Sequence, residues 1–386
     1  MGSTRGPQHS RNTKGVGDVN IRKLGYDFGF PTDGMTSQEV SLKMLENIRT
    51  ERHQTETVRS MTGAKDRQAR ETAMNILQRG KFNEYCTRLI ENYHANDKEL
   101  TQLMLRGALR TSYDSRSALL HFAVTAKPGA GKNDLLNALT SLLPKRNVVM
   151  YSSVTSKVLY YAMRVPRADG QGMETNPYHF KNKVIAITEV ADGKSSGYSG
   201  LKAFSELDQF SSFTHSTTLG QKGVDLTVQG PRAIWVSSVA GIDDEQVYRR
   251  FLHVKVGDNS KGSRMRKTDV ITDNLIMQKS IDQDPEINIA KAGFDLLFES
   301  HPTFQGMSNE TAGLVREVNI GLTEADYSPS QLKQLYALAE CSAVEHQFQR
   351  NGVYITNEDV LQAWGWTGWE PNGEVKVEGK WFSPSI

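Results

Sequence analysis

The sequence has few cysteines, no long apolar run and little net charge. The first two absences exclude classes of protein, and the third limits how the chain could bind nucleic acid. Its 386 residues include only Cys86 and Cys341, which argues against a disulfide framework and against a cysteine-rich zinc site. No apolar stretch approaches the roughly 20 residues of a membrane-spanning helix. The formal net charge is +2, so any nucleic-acid binding must come from local basic patches.

The remaining composition is that of a protein with a packed core. Hydrophobic residues make up 38% of the chain and charged residues 23%, and the length allows two or three domains. The first twenty residues are polar and lack the apolar segment of a secretory signal. Since two distant cysteines also fit a reducing compartment, we expect a cytoplasmic protein without a membrane partner.

A glycine-containing turn, AKPGAGKN at 126–133, stands between the apolar run 118–124 and a helical pattern. Gly129 and Gly131 let backbone N–H groups turn toward an anion, and Lys132 adds a positive charge. The N-terminus of the following helix also favours an anion. This layout is that of a phosphate-binding P-loop, and we predict that the nucleotide is bound by Lys127, Pro128, Gly129, Ala130, Gly131, Lys132, Asn133 and Asp134.

Two positions of this turn differ from the usual pattern, G-x-x-x-x-G-K-[ST]. Ala126 stands at the first glycine, and Asn133 stands where a hydroxyl normally holds Mg²⁺. An amide oxygen can also bind a hard cation, so Asn133 is a candidate magnesium ligand. The sequence therefore supports nucleotide binding more strongly than nucleotide hydrolysis.

A second apolar strand, predicted over 183–189, ends in an acidic residue. In P-loop enzymes such a strand carries the acids that order the Mg²⁺ shell and orient water. Thr188 takes the first of these positions and is a second candidate magnesium ligand. We predict that Glu189 takes the other position and polarises the attacking water; the alternative is a surface acid at a strand end.

Three further features follow along the chain. A hairpin pattern places Lys222 at its tip, where the side chain contacts either a nucleic-acid backbone or solvent. An apolar strand then ends in Ser237 and Ser238, which either hold the attacking water or start a turn. Arg250, with Arg249 as second choice, is either an arginine finger for a neighbouring subunit or a salt-bridged arginine at a helix end.

Composition divides the chain into four parts. Residues 1–34 are predicted to be a flexible basic arm, and residues 35–115 a helical domain. The P-loop core occupies residues 116–258, and the basic sequence 260–267 is predicted to be a loop at its end. The remainder, residues 259–386, is predicted to be mainly helical, with helical patterns over 287–299, 310–320 and 328–349 and a short helix that begins after a cap at Thr356.

The order of these parts resembles that of AAA+ ATPases, most closely the MCM-type helicases and the superfamily 3 helicases of plasmids and viruses. The resemblance covers about 118–363 and rests on the P-loop, the acidic strand, the hairpin, the serine-tipped strand and Arg250-Phe251. It implies an α/β fold, with an AAA+ core around a central parallel sheet and a C-terminal helical lid. It also implies ATP and Mg²⁺ as cofactors, a hexameric homo-oligomer, and single-stranded or forked DNA as partner.

The resemblance also assigns roles. Lys132 would bind the β- and γ-phosphates, Glu189 would activate water, and Ser237 or Ser238 would be the first sensor residue. Lys222 would grip DNA in the ring pore, and Arg250 would serve the neighbour's ATP.

The chain departs from this family at the lid and in the N-terminal domain. Ser330 stands where the lid arginine, the second sensor, is expected. The cysteines of the zinc-bearing N-terminal domain of cellular MCM proteins are absent.

Three functions remain open on the sequence. The one we predict is an ATP-driven DNA helicase or translocase in the replication of a mobile element or virus. The alternative is a slow or inactive nucleotide-binding scaffold that assembles on nucleic acid or on a protein. A small-molecule kinase is a weaker third, because it does not explain Arg250-Phe251 or the long helical C-terminal part.

Overall fold

Two compact units, residues 1–68 and 69–386, make up the chain, and almost all residues described below belong to the second. The predicted basic arm, 1–34, and the C-terminal residues 368–386 lie outside the described residues. Within 213–219 and 222–226 and at 261 and 263 only the backbone is described. The computed structural model describes residues 39–40, 43, 63–126, 128–154, 158–167, 172–189, 201–202, 204–209, 213–219, 222–238, 242, 244–256, 261–281, 284–324 and 327–367.

The described residues form short strands and longer helices. The strands are β1 (Phe122–Thr125), β2 (Val148–Tyr151), β3 (Arg164–Pro166), β4 (Met173–Thr175), β5 (Lys183–Ile187), β6 (Phe213–Leu219), β7 (Lys222–Val228), β8 (Arg232–Ser238), β9 (Leu252–Lys255), β10 (Phe304–Met307) and β11 (Val353–Ile355). The helices are α1 (63–78), α2 (Phe82–Glu91), α3 (Lys98–Ala108), α4 (Lys132–Leu142), α5 (Val158–Ala162), α6 (Glu245–Tyr248), α7 (Lys261–Ile276), α8 (Pro285–Glu299), α9 (Asn309–Glu324), α10 (Pro329–Glu345), α11 (Gln347–Arg350) and α12 (Asn357–Gly365).

Five parallel strands form the central sheet, in the order β2–β5–β8–β1–β9. The order separates the loop-bearing strand β1 from the acid-bearing strand β5 by one strand, β8. Its central strands are nearly continuous apolar runs, as expected when helices cover both faces of a parallel sheet. The predicted α/β fold with a central parallel sheet is therefore confirmed.

The two faces of the sheet carry separate parts of the core. Alternate residues of each strand point to opposite faces, so Trp235 belongs to the core cluster that includes residues of α4 and α8, while Ile234 and Val236 belong to the cluster on the other face. On the first face, the ring of Phe82 lies over α8 at Gly293. An added Cβ there would be 2.1 Å from the Phe82 ring, so only glycine permits this close approach.

The C-terminal helices begin where the sequence predicts. Ser328 and Gln331 form a reciprocal capping box at the start of α10, and Thr356 and Asp359 form another at α12. In α10, Glu345 is buried. It forms an ion pair of 2.8 Å with Arg106 of α3, so helices from both ends of the second unit share the core of the sheet. The predicted domain boundaries and the role of these helices as a lid stay predictions.

Two predicted elements were wrong. The sequence 261–267 is not a loop but the first part of α7, consistent with its good helix formers and its lack of proline. The sequence 201–209 also predicts a helix, but in the structure the helix ends at residue 204 and residues 205–209 are not helical. There the backbone turns away from the helix, and the carbonyl of Leu207 accepts a hydrogen bond of 2.7 Å from the N–H of Leu119. Of the helices in the described part of the chain, none has the length and apolar character that a membrane span requires.

Candidate nucleotide-binding site

The glycine turn leaves β1 and enters α4 at the carboxyl edge of the sheet. Gly129 and Gly131 have φ angles of 76° and 84°, in the left-handed region that favours glycine. Nothing lies near an added Cβ at Gly129, whereas at Gly131 the Cβ would lie 3.1 Å from Cε1 of His94. The turn therefore has left-handed glycines at two positions, as an anion-binding loop does, and the His94 ring leaves little room for a side chain at the second. Pro128 is exposed, Ala130 is buried, and Lys127 lies outside the described residues.

The lysine of the turn is the first residue of α4. Its Nζ donates a hydrogen bond of 3.1 Å to the carbonyl of Ala126, which spans the loop. Burial lowers the pKa of Lys132, and the carboxylate of Glu189 opposes that shift. Glu189 is exposed just beyond the end of β5. The predicted catalytic acid therefore interacts electrostatically with the lysine of the turn at one edge of the sheet. Asp134 lies in the exposed first turn of the same helix.

The polar strand tip also meets the loop. Because β8 lies beside β1, Ser237 is in register with Val124. The hydroxyl of buried Ser237 donates a hydrogen bond of 3.2 Å to Oδ1 of Asn133. Two predicted residues from distant parts of the sequence thus place neutral oxygen atoms together, a donor type that Mg²⁺ accepts beside phosphate oxygens. Ser238 is the next residue and points to the opposite face of the strand.

Thr188 lies in a different environment from Asn133 and Ser237. Its hydroxyl donates to the carbonyls of Ser152 (3.1 Å) and Tyr151 (3.5 Å), at the end of β2. Since β2 and β8 lie on opposite sides of β5, this hydroxyl is turned away from Asn133. Its role as a magnesium ligand stays a prediction. Within the described ranges, no cluster of three or more His, Cys, Asp or Glu side chains could hold a metal ion.

Arg250 lies at the opposite edge of the sheet, before the first residue of β9. Its guanidinium forms an ion pair of 3.1 Å with Glu206 and donates to the carbonyl of Lys202. Arg249 is more exposed and pairs with Glu245, one turn earlier. The structure therefore does not bring Arg250 near the loop of its own chain, and its role as an arginine finger stays a prediction.

The predicted hairpin is confirmed in its backbone. Strands β6 and β7 pair in antiparallel fashion, with Leu219 opposite Lys222 next to the turn. The side chain of Lys222 lies outside the described part of the structure, so its nucleic-acid contact stays a prediction.

Sequence reasoning missed three residues that support the loop. Nε2 of His94 lies 2.6 Å from a carboxylate oxygen of Asp97, and both side chains are buried. Nζ of Lys267, on α7, lies 3.0 Å from the same oxygen and donates to the carbonyl of Ala130 at 3.1 Å. Burial alone would raise the pKa of Asp97, but His94 and Lys267 hold it below its ordinary value. The only sequence signal was two ionisable residues three apart before a helix, which does not identify their partner.

A cavity of about 470 Å³ opens beside the loop. One wall is formed by loop residues 129–131 and the first turns of α4, and another by Tyr93, His94 and Ala95. One face of α7 forms the remaining side. The site thus consists of the glycine turn and an adjoining space large enough for a small organic group.

Comparison with known proteins gives one family. A sequence model described as the MTBMA_p00010 P-loop domain matches residues 66–300, which is more than half of the chain. The matched range contains the glycine turn and every strand of the parallel sheet. No curated protein matches the chain.

Proposed function

We propose, because this chain belongs to the MTBMA_p00010 P-loop domain family, that it binds ATP at the glycine turn and hydrolyses it with Mg²⁺. The observation that carries the proposal is the hydrogen bond between Ser237 and Asn133. It joins the tip of β8 to the turn, at the same edge of the sheet where Glu189 acts on Lys132. Those four side chains come from three separate segments of the sequence.

Each of these residues has a distinct task in the proposed reaction. The N–H groups of the turn and the ammonium of Lys132 bind the phosphates, and the amino end of α4 adds favourable electrostatics. Asn133 and Ser237 offer the oxygen atoms that would hold Mg²⁺, which neutralises phosphate charge when bound. Glu189 orients the attacking water and accepts its proton, the role of a general base.

The finer proposal is a ring-forming AAA+ helicase or translocase that acts on DNA in the replication of a mobile element or virus. Two observations support it. The β6–β7 hairpin directly precedes β8, so a DNA-gripping element would be joined to the strand that senses the nucleotide. Arg250 lies at the edge of the sheet opposite the loop, so any role in catalysis would be played at the site of a neighbouring copy.

A second candidate, the slow or inactive scaffold, is favoured by the contacts of two residues. The hydroxyl of Thr188 is engaged by β2, so one usual contributor to the Mg²⁺ shell is turned away. Arg250 is held by Glu206 within its own chain and would have to break that pair to reach a neighbour.

The experiment measures ATP binding, ATP hydrolysis and the effect of single-stranded DNA on the rate for the full chain. We expect Lys132→Ala to abolish binding and Glu189→Gln to retain binding but lose about 10²–10⁴-fold in rate. The exposed residues Lys145 and Glu174 supply matched controls, Lys145→Ala and Glu174→Gln. A wild-type rate equal to that of Glu189→Gln, with ATP still bound, would favour the scaffold. No binding of ATP to the wild type would refute both.

A further inference from the structure

We infer that α7 contacts the whole length of the bound nucleotide. Arg264 contacts the phosphates, and Ile271 and Leu275 contact the base. This inference rests on the proposed nucleotide binding and assigns the part of the site that the glycine turn leaves open. It starts from the face that α7 presents to the cavity, which consists of Arg264, Lys267, Thr268, Ile271, Asn274 and Leu275.

The chemistry of that face changes along the helix, from cationic at one end to mainly apolar at the other, where Asn274 lies between the apolar residues. Arg264 and Lys267 are cationic and lie at the end beside the glycine turn, where Lys267 contacts the carbonyl of Ala130. Ile271 and Leu275 are apolar and lie further along the helix. At 1.5 Å per residue, Arg264 and Ile271 are about 10 Å apart along the axis, about the distance from a terminal phosphate to a base in an extended nucleotide. The order cation, polar, apolar therefore matches the order phosphate, ribose, base.

Helix α7 is held in place by few contacts. Besides the bonds of Lys267, Nδ2 of Asn274 donates to the carbonyl of Asn92 at 3.0 Å. The apolar side chains of Ile271 and Leu275 are 50% and 73% exposed, and no apolar side chain described on this helix joins the buried core. A planar base in the cavity would cover these two side chains and remove apolar surface from water, which the protein alone does not do.

Arg264 has the properties of a phosphate ligand. Its side chain lines the cavity, is exposed, and makes no hydrogen bond or ion pair with any other residue that the structure describes. No residue of α10 lines the cavity, and Ser330 of that helix stands where the resemblance predicts an arginine. Arg264 therefore supplies a cation to the cavity where α10 supplies none, and a guanidinium suits phosphate oxygens because it can donate two parallel hydrogen bonds.

The test compares binding of ATP and of inorganic tripolyphosphate to the full chain by titration calorimetry. We expect Ile271→Asp to weaken ATP at least about tenfold, because it places a charge where the base would be buried, and to leave tripolyphosphate unchanged. Arg264→Gln should weaken both ligands about fivefold or more. Ile276→Asp and Arg266→Gln are matched controls, since both residues are exposed on α7 outside the cavity.

The outcomes separate this inference from the proposed function. Equal affinity of the wild type for ATP and tripolyphosphate, unchanged in Ile271→Asp, would overturn the assignment of α7 while leaving the glycine turn as a phosphate site. An effect of Ile276→Asp as large as that of Ile271→Asp would overturn it as well. Failure of the wild type to bind either ligand would instead refute the proposed function.

Discussion

Alanine at the two glycines of the turn separates backbone strain from side-chain crowding. Both have positive φ, and an L-residue in the left-handed region costs roughly 1–2 kcal/mol relative to glycine. At Gly129 nothing else opposes a Cβ, so Gly129→Ala should lower the free energy of unfolding by that amount alone. At Gly131 the Cβ would press on His94, which is buried and bonded to Asp97 and cannot easily retreat. Crowding of this kind adds about 1 kcal/mol or more.

The assay is urea denaturation followed by intrinsic fluorescence, with ATP binding measured on the same samples. We expect Gly131→Ala to lose about 1 kcal/mol more than Gly129→Ala, and that difference to disappear in a His94→Ala background. Gly131→Ala should also weaken ATP binding more than Gly129→Ala does, because contact with the His94 ring would displace the glycine turn. Equal losses for the two glycine variants, or effects that add to within about 0.3 kcal/mol when combined with His94→Ala, would refute the reasoning.

Three further predictions concern the core and its charges. Glu345→Gln should lower the free energy of unfolding by about 3–5 kcal/mol in urea, because it leaves the buried guanidinium of Arg106 without its carboxylate; a loss below about 1 kcal/mol would contradict this. Burial would raise the pKa of the Glu345 carboxyl, but Arg106 and His346 hold that pKa below its ordinary value. The stabilisation from its charge is therefore present above about pH 4.5 and is lost as the pH falls through the lowered pKa. Between pH 7 and pH 3 the free energy of unfolding of the wild type should approach that of Glu345→Gln, and a constant difference between the two would contradict the prediction. Gly293→Ala should be destabilising by about 1–3 kcal/mol in thermal unfolding despite the better helix propensity of alanine, because its Cβ collides with Phe82, whereas Gly313→Ala on the open side of α9 should be neutral or stabilising.

The sequence was sufficient for those parts of the fold whose signals are local. The strands β1, β5 and β8 are apolar runs ending in polar residues, and the capping boxes at Ser328 and Thr356 begin helices where the pattern predicts. The glycine turn is local in the same sense, because its φ angles are set by the residues themselves.

Contacts between distant segments could not be predicted in this way. The pairing of Lys267 with Asp97 joins residues 170 positions apart, and the direction of the Thr188 hydroxyl depends on where β2 lies. The partner of Arg250 could not be predicted either. The sequence allows both an arginine finger and a salt-bridged arginine, and Glu206 comes near Arg250 only through the fold. The start of helix α7 was not predicted, because its basic residues are typical of a loop and its apolar residues do not repeat on one face of a helix.

The position of β8 has a mechanical consequence. It is flanked by β5 and β1, so it cannot bend freely, and its seven residues form a rod about 20 Å long. Ser237 is near one end, against Asn133, and only three residues join the other end to β7. A small displacement of the serine along the strand would therefore be transmitted through the backbone of β8 to the base of the hairpin.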